Sequence, residues 1–223
     1  MCGRFTLSVN KETLAQAFHL EFPDIAAKYN IAPTQEVATV LHNLESNQRE
    51  FQHLRWGLIP SWAKNTSIGA KLINARAETV AEKPSFRSAF KHRRCLVLAD
   101  GFYEWQKQEG KKQPFYFRLN SGQPFGFAGL WEKWKSPEGI EINSCTIVTT
   151  QANELLQPIH DRMPVILAER DYDLWLNPEV QKASALQQLL VPYPAPVMIA
   201  SPVSTKVNNP RHDSPDCILS SPS

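Results

Sequence analysis

The sequence has no pair of cysteines at metal-ligand or redox spacing; its four, Cys2, Cys95, Cys145 and Cys217, are scattered through 223 residues. Neither a zinc ribbon nor a C-x-x-C centre is expected from them, and no metal or other cofactor is expected. Glycine is scarce, nine against 17 prolines. That reverses average usage and points to fixed turns rather than long flexible loops. No charge of one sign dominates, since 24 Lys and Arg face 22 Asp and Glu for a net +2. A polyanionic partner is therefore neither demanded nor excluded, and any nucleic-acid site must be a local patch. No stretch reaches the roughly 18 apolar residues of a membrane span. The start, MCGRFTLSVNKETL, lacks the apolar core of a signal peptide. A soluble, cytoplasmic, reducing setting without a membrane partner is the expectation, and there an unpaired thiol persists.

What is present is a globular composition, 42% hydrophobic and 21% charged, with no internal repeat and no clear seam. A chain of this length buries a full core without disulfides or structural metal. Compact or alternating apolar runs predict strands at Glu36–Leu44, Glu50–Trp56, Cys95–Leu98, Phe102–Trp105, Phe115–Leu119, Phe125–Trp131, Cys145–Thr149 and Pro164–Leu167. Asn10 is a helix cap candidate, with Leu14, Ala17 and Phe18 on one face. Helices are also expected at Pro84–Phe90, Glu169–Leu176 and Pro178–Leu190, and a hairpin tip at Gln108–Gln113. Strands dominate and helices are inserted between them. The fold class is therefore α+β: a single domain over 1–215 with a curved, mainly antiparallel, barrel-like sheet, and an irregular tail over 208–223. Cys95 and Cys145 lie in apolar runs and read as inert buried thiols.

Cys2 is different. A small residue at position 2 lets the initiator Met be removed, which leaves Cys2 with a free α-amine beside its thiol. An α-amine titrates near pH 8, so a sizeable fraction is neutral at cytoplasmic pH. An aldehyde meeting this aminothiol forms an imine with the amine, and the sulfur then closes a five-membered thiazolidine. Gly3 permits close approach of a ligand to the backbone. Arg4 adds a permanent cation able to hold a phosphate.

Further along, six segments stand out: Met1–Phe5, Tyr29–Thr34, Arg55–Trp62, Ile73–Thr79, Ala99–Trp105 and Ile159–Pro164. Together, and in this order, they strongly resemble the SRAP family, named for SOS-response-associated peptidases and regarded as abasic-site processing proteins. The resemblance covers residues 1 to roughly 215. It implies a compact α+β domain whose Cys2 crosslinks to an abasic site in single-stranded DNA, shielding the lesion from strand-cleaving enzymes. It also implies autoproteolytic loss of Met1 and strand-incising lyase activity. An abasic deoxyribose supplies the aldehyde that the aminothiol requires.

Glu104 sits in an aromatic run whose alternation turns it away from Tyr103 and Trp105. In a cleft, desolvation would raise its pKa towards neutrality and fit it for proton transfer. On an open face it would be an ordinary surface carboxylate; the resemblance implies the catalytic role. His160, held between Pro158 and Pro164, has the pKa range for opening a sugar ring, and the resemblance places it in the active site. Asn74 reads as a turn residue, or, by the resemblance, as one that positions the lesion. Arg4, Arg76 and Arg162 are candidates for tracking phosphates along one groove. An internal ion pair is the alternative for Arg162. Trp62 with Pro33 is the candidate apolar surface for bases, although a core position for Trp62 is open. Relatives often carry a second aromatic after this Trp, where this chain has Ala63, which weakens any role in wedging a duplex. Thr149 is a weaker phosphate candidate; Lys91–Arg94 and Lys111–Lys112 read mainly as solvated charge.

Single-stranded DNA carrying abasic sites is the expected partner, and a monomer the expected state. A glutamine-dependent amidohydrolase also begins Met-Cys-Gly, but this chain offers no synthase domain. A thiol peptidase using Cys2, His160 and Glu104 remains the alternative, with removal of Met1 as its minimal form.

Overall fold

The structure is a computed structural model that describes residues 2–43, 45–108 and 110–220. Among the described residues, thirteen strands form two sheets. In chain order they are β1 (Phe5–Leu7), β2 (Lys28–Ile31), β3 (Glu36–Asn43), β4 (Gln48–Trp56), β5 (Asn74–Arg76), β6 (Arg94–Ala99) and β7 (Gly101–Gln108). Then follow β8 (Lys111–Leu119), β9 (Phe125–Lys135), β10 (Glu141–Gln151), β11 (Arg162–Pro164), β12 (Ile166–Leu167) and β13 (Met198–Pro202). Among the described residues, four short α-helices lie between them: α1 (Lys11–Phe18), α2 (Arg87–His92), α3 (Tyr172–Leu176) and α4 (Ala183–Gln187). The α+β class with a curved, mainly antiparallel sheet is what the apolar patterning predicts.

Five strands close into a barrel. β4 pairs β3, β3 pairs β6, β6 pairs β9 and β9 pairs β10, all antiparallel; β10 then returns to β4 in parallel. Closure removes the free edges that a sheet of this length would otherwise expose. The second sheet, ordered β13-β8-β7-β1-β2, is antiparallel throughout. Aromatic rings join the two. Phe5 of β1 sits 5.1 Å from Trp56 and 5.8 Å from Phe127, and Phe102 of β7 lies 6.0 Å from Phe127. All four are fully buried, and offset or edge-on ring pairs add to the area they hide.

Asn10 caps α1, its side chain accepting from the Thr13 amide at 2.9 Å, and Leu14 and Phe18 turn inward. Other elements depart from the pattern. The helix expected over Pro178–Leu190 shrinks to α4, because the carbonyls of Asn177 and Val180 turn towards a buried guanidinium, that of Arg94. Arg94 also takes the carbonyls of Phe90, Lys91 and Trp175. It is therefore a structural core cation and not part of a solvated basic face. Burial pushes its pKa down to about 10. The strands β1, β2, β5 and β13 are additions that no apolar run announced.

The segment after β13 has little regular structure yet is tied down. Asn30 of β2 donates to the carbonyls of Val207, Asn209 and His212, and Asp213 accepts from the amides of Tyr29 and Asn30. No helix among the described residues is long and apolar enough to cross a membrane.

Candidate active site

Cys2 lies just before β1, where the Tyr103 amide donates to the Arg4 carbonyl at 3.0 Å and extends the pairing with β7. Its side chain is fully buried. The Asn74 amide nitrogen Nδ2 donates to the Cys2 carbonyl at 2.8 Å. Asn74 is placed by the parallel pairing of β5 with β10, opposite Ile147. Its Oδ1 is buried and has no partner among the described residues. The second sheet thus supplies the cysteine and the barrel wall supplies the residue that fixes it.

Glu104 on β7 is only 3% exposed. Removal from water raises its carboxyl to about 7, and Asp161 pushes it the same way. Burial also pushes the Cys2 thiol well above its ordinary range, with the Glu104 charge adding to the effect. At neutral pH the sulfur therefore keeps its proton, beside a carboxyl that is close to half-ionised.

His160 follows a chain of turns anchored by Asn153, whose Oδ1 accepts from the Leu156 amide; the His160 amide donates to the Leu156 carbonyl at 2.9 Å. The imidazole Nδ1 accepts from the Arg162 amide at 2.9 Å. The same nitrogen lies 3.1 Å from Asp161 Oδ1 and 3.2 Å from the Arg162 carbonyl oxygen, so donor and acceptor groups both face it. Burial lowers the pKa of His160, so the neutral ring dominates at pH 7. Glu104, His160, Arg4 and Trp105 line a cavity of about 460 Å³, completed by Asn208, Lys107 and Lys112.

The arginines divide. Arg4 is anchored by Asn30 Oδ1 at 2.7 Å and the Val207 carbonyl at 2.8 Å, with its guanidinium 5.8 Å from the Trp105 ring centre. None of these partners is a carboxylate, and among the described residues no ion pair engages Arg4. Arg76 is exposed. Arg162 makes a two-pronged ion pair with Glu78, at 2.7 and 3.0 Å, and donates to the Thr149 carbonyl at 2.7 Å. The internal ion pair weighed from sequence is thus present, with Glu78 as the carboxylate. Thr149 is fully buried. Its side chain reaches no surface for a phosphate, and its backbone instead positions Arg162.

Trp62 is 60% exposed, which removes the core alternative. The loop carrying it leaves β4 at Gly57, whose amide donates to the Cys145 carbonyl at 2.8 Å and whose φ is +127°; a Cβ there would lie 2.6 Å from the Gly69 carbonyl oxygen. Pro33 is half-buried, in a turn where Thr34 adopts a positive φ of 74°. β-Branched residues rarely do so without a positional demand.

Sequence reasoning missed Glu78, Asn30, Lys107 and Asn208. Glu78 lies within a recognised motif, but its partner is 84 residues away in sequence. Among the described residues, one group has metal-ligand chemistry: His212, Asp216 and Cys217, with ligand atoms within 4.8 Å of one another. The Asp216 carboxylate is already held by Lys206 at 2.9 Å and His212 at 2.8 Å. An ammonium at that distance disfavours a further cation.

The family model for the SOS response associated peptidase (SRAP) matches residues 1–210. A Bacillus subtilis protein named abasic site processing protein YoqW is 47% identical, over 99% of this chain and 100% of its own length. The Xenopus tropicalis abasic site processing protein HMCES is 34% identical, over 85% of this chain and 65% of its own. A crystal structure of a Bacteroides thetaiotaomicron protein superposes with a TM-score of 0.88 at 26% identity, covering 99% of this chain and 100% of that one.

Proposed function

The chain belongs to the SOS response associated peptidase (SRAP) family, and on that premise we propose that it processes abasic sites in single-stranded DNA by capturing them covalently on Cys2. The observation that carries this reading is the grouping around Cys2: Asn74 on its carbonyl and a carboxyl titrating near 7 at Glu104.

The chemistry begins once hydrolysis has removed Met1, the one cleavage to which the peptidase reading reduces. The closed abasic sugar opens when O4′ gains a proton and the C1′ hydroxyl loses one. The His160 imidazole offers a proton and the Glu104 carboxylate accepts the other. The Cys2 α-amine adds to the aldehyde and water leaves, giving an imine. Because the thiol is held protonated, the amine reacts first. The thiol then passes its proton through Glu104 to the imine nitrogen as sulfur bonds to C1′. The sum is aldehyde plus aminothiol giving thiazolidine plus one water. Elimination from the imine before ring closure is the lyase branch. Asn74 Oδ1 accepts a sugar hydroxyl, Arg76 meets a phosphate, and the exposed Trp62 with Pro33 offers a stacking surface.

The test uses a uracil-containing single strand pretreated with uracil glycosylase and a denaturing gel. Wild-type protein is expected to give a shifted band. Cys2→Ala abolishes it, and Cys2→Ser leaves only an imine that borohydride must trap. A stable band from Cys2→Ala overturns the reading.

A further inference from the structure

Lys107 of β7 and Lys112 of β8 are directly opposed across the hairpin. Like charges facing each other on an antiparallel pair destabilise it, and neither lysine has an acidic partner among the described residues. Both line the cavity that contains Glu104 and His160. Arg4, at the same cavity, is held only by neutral acceptors. Three cations without an acidic partner among the described residues therefore line one cavity together with Glu104. Lys107 lies three residues beyond Glu104, about 10 Å at the usual strand rise.

Resting on the reading of Cys2 above, we propose that Lys107 and Lys112 form a phosphate clamp for the DNA backbone on one side of the lesion. Arg76 and Trp62 belong to the barrel sheet and its loop, whereas Lys107 and Lys112 belong to the other sheet. The strand then enters along β5, bends at the captured sugar and leaves over the β7–β8 hairpin. Repulsion between the two lysines is relieved when a phosphate sits between them. The hairpin thus trades local stability for backbone binding.

The test measures binding without the covalent step, using a fluorescent single strand whose lesion is an unreactive tetrahydrofuran. Lys107→Gln with Lys112→Gln removes both charges and keeps polar side chains on exposed positions of the hairpin. For single strands each lost phosphate contact lowers the slope of log affinity against log salt by about 0.7, so two lower it by about 1.4. At 0.1 M salt, with the curves meeting near 1 M, that is about a 25-fold loss. On a strand that ends at the lesion on the clamp side, the difference from wild type vanishes; on the opposite truncation it persists. Equal affinities and slopes overturn the clamp, as does a difference kept on both truncated strands. Crosslinking by wild type on a natural abasic site scores the Cys2 reading separately.

Discussion

Glu104 shows how a functional carboxyl acts against the fold that holds it. Its pKa rises from an ordinary 4.5 to about 7 on burial. A group raised in this way favours the folded state fully below pH 4.5, and that contribution is lost as pH rises through 7. Glu104→Gln, neutral at every pH, is therefore expected to match wild-type stability near pH 4 and to exceed it by about 3 kcal/mol at pH 8. Urea unfolding at the two pH values checks this; equal stability at pH 8 contradicts the buried, perturbed carboxyl. The same variant should crosslink slowly and lose the rise in rate centred near pH 7. Strand alternation made it legible that Glu104 faces away from Tyr103 and Trp105, while the burial of that face became visible only in the structure. Arg162 was not legible to the same degree. Its pairing with Glu78 needs β5 and β11 to meet on either side of β10, and no local pattern encodes that.

At the scale of elements, long apolar runs announced the barrel strands, while Cys2 and Asn74 rest on pieces too short to alternate. β1 and β5 have three residues each, and they exist because long neighbours complete their hydrogen bonds. The helices were misjudged where side chains took backbone acceptors, as Arg94 does. Gly57 is a stricter requirement, since both its φ and its approach to Gly69 exclude a side chain. Gly57→Ala is expected to destabilise the protein by about 2–4 kcal/mol. A shifted denaturation midpoint with unchanged slope would show it, and an unchanged midpoint would contradict it. The hairpin β7–β8 appears where Gln108–Gln113 predicts a tip, with Glu109 outside the described residues. What the pattern did not convey is that this hairpin borders the site.

For the whole molecule, the site lies at the seam between a closed barrel and a second sheet, each contributing part of it. Asn30 locks this arrangement, since one side chain links β2, Arg4 and the chain after β13. Asn30→Ala leaves buried carbonyls and Arg4 short of partners, at about 2–3 kcal/mol. For a protein of this size that lowers Tm by about 5–10 °C. Scanning calorimetry checks the shift, and an unaltered Tm would show that the tail docks without it. Cys95 and Cys145 were legible as buried thiols from their apolar runs, and Cys2 stood out by its position. Burial is common to all four cysteines, and Cys2 differs in having Glu104 and Asn74 beside it.

The most direct test of the central claim is the intact mass of the crosslinked species. The account predicts the protein without Met1, plus the abasic strand, less one water. A product of equal yield that retains Met1 would show that the α-amine of Cys2 takes no part, and the thiazolidine mechanism would be wrong.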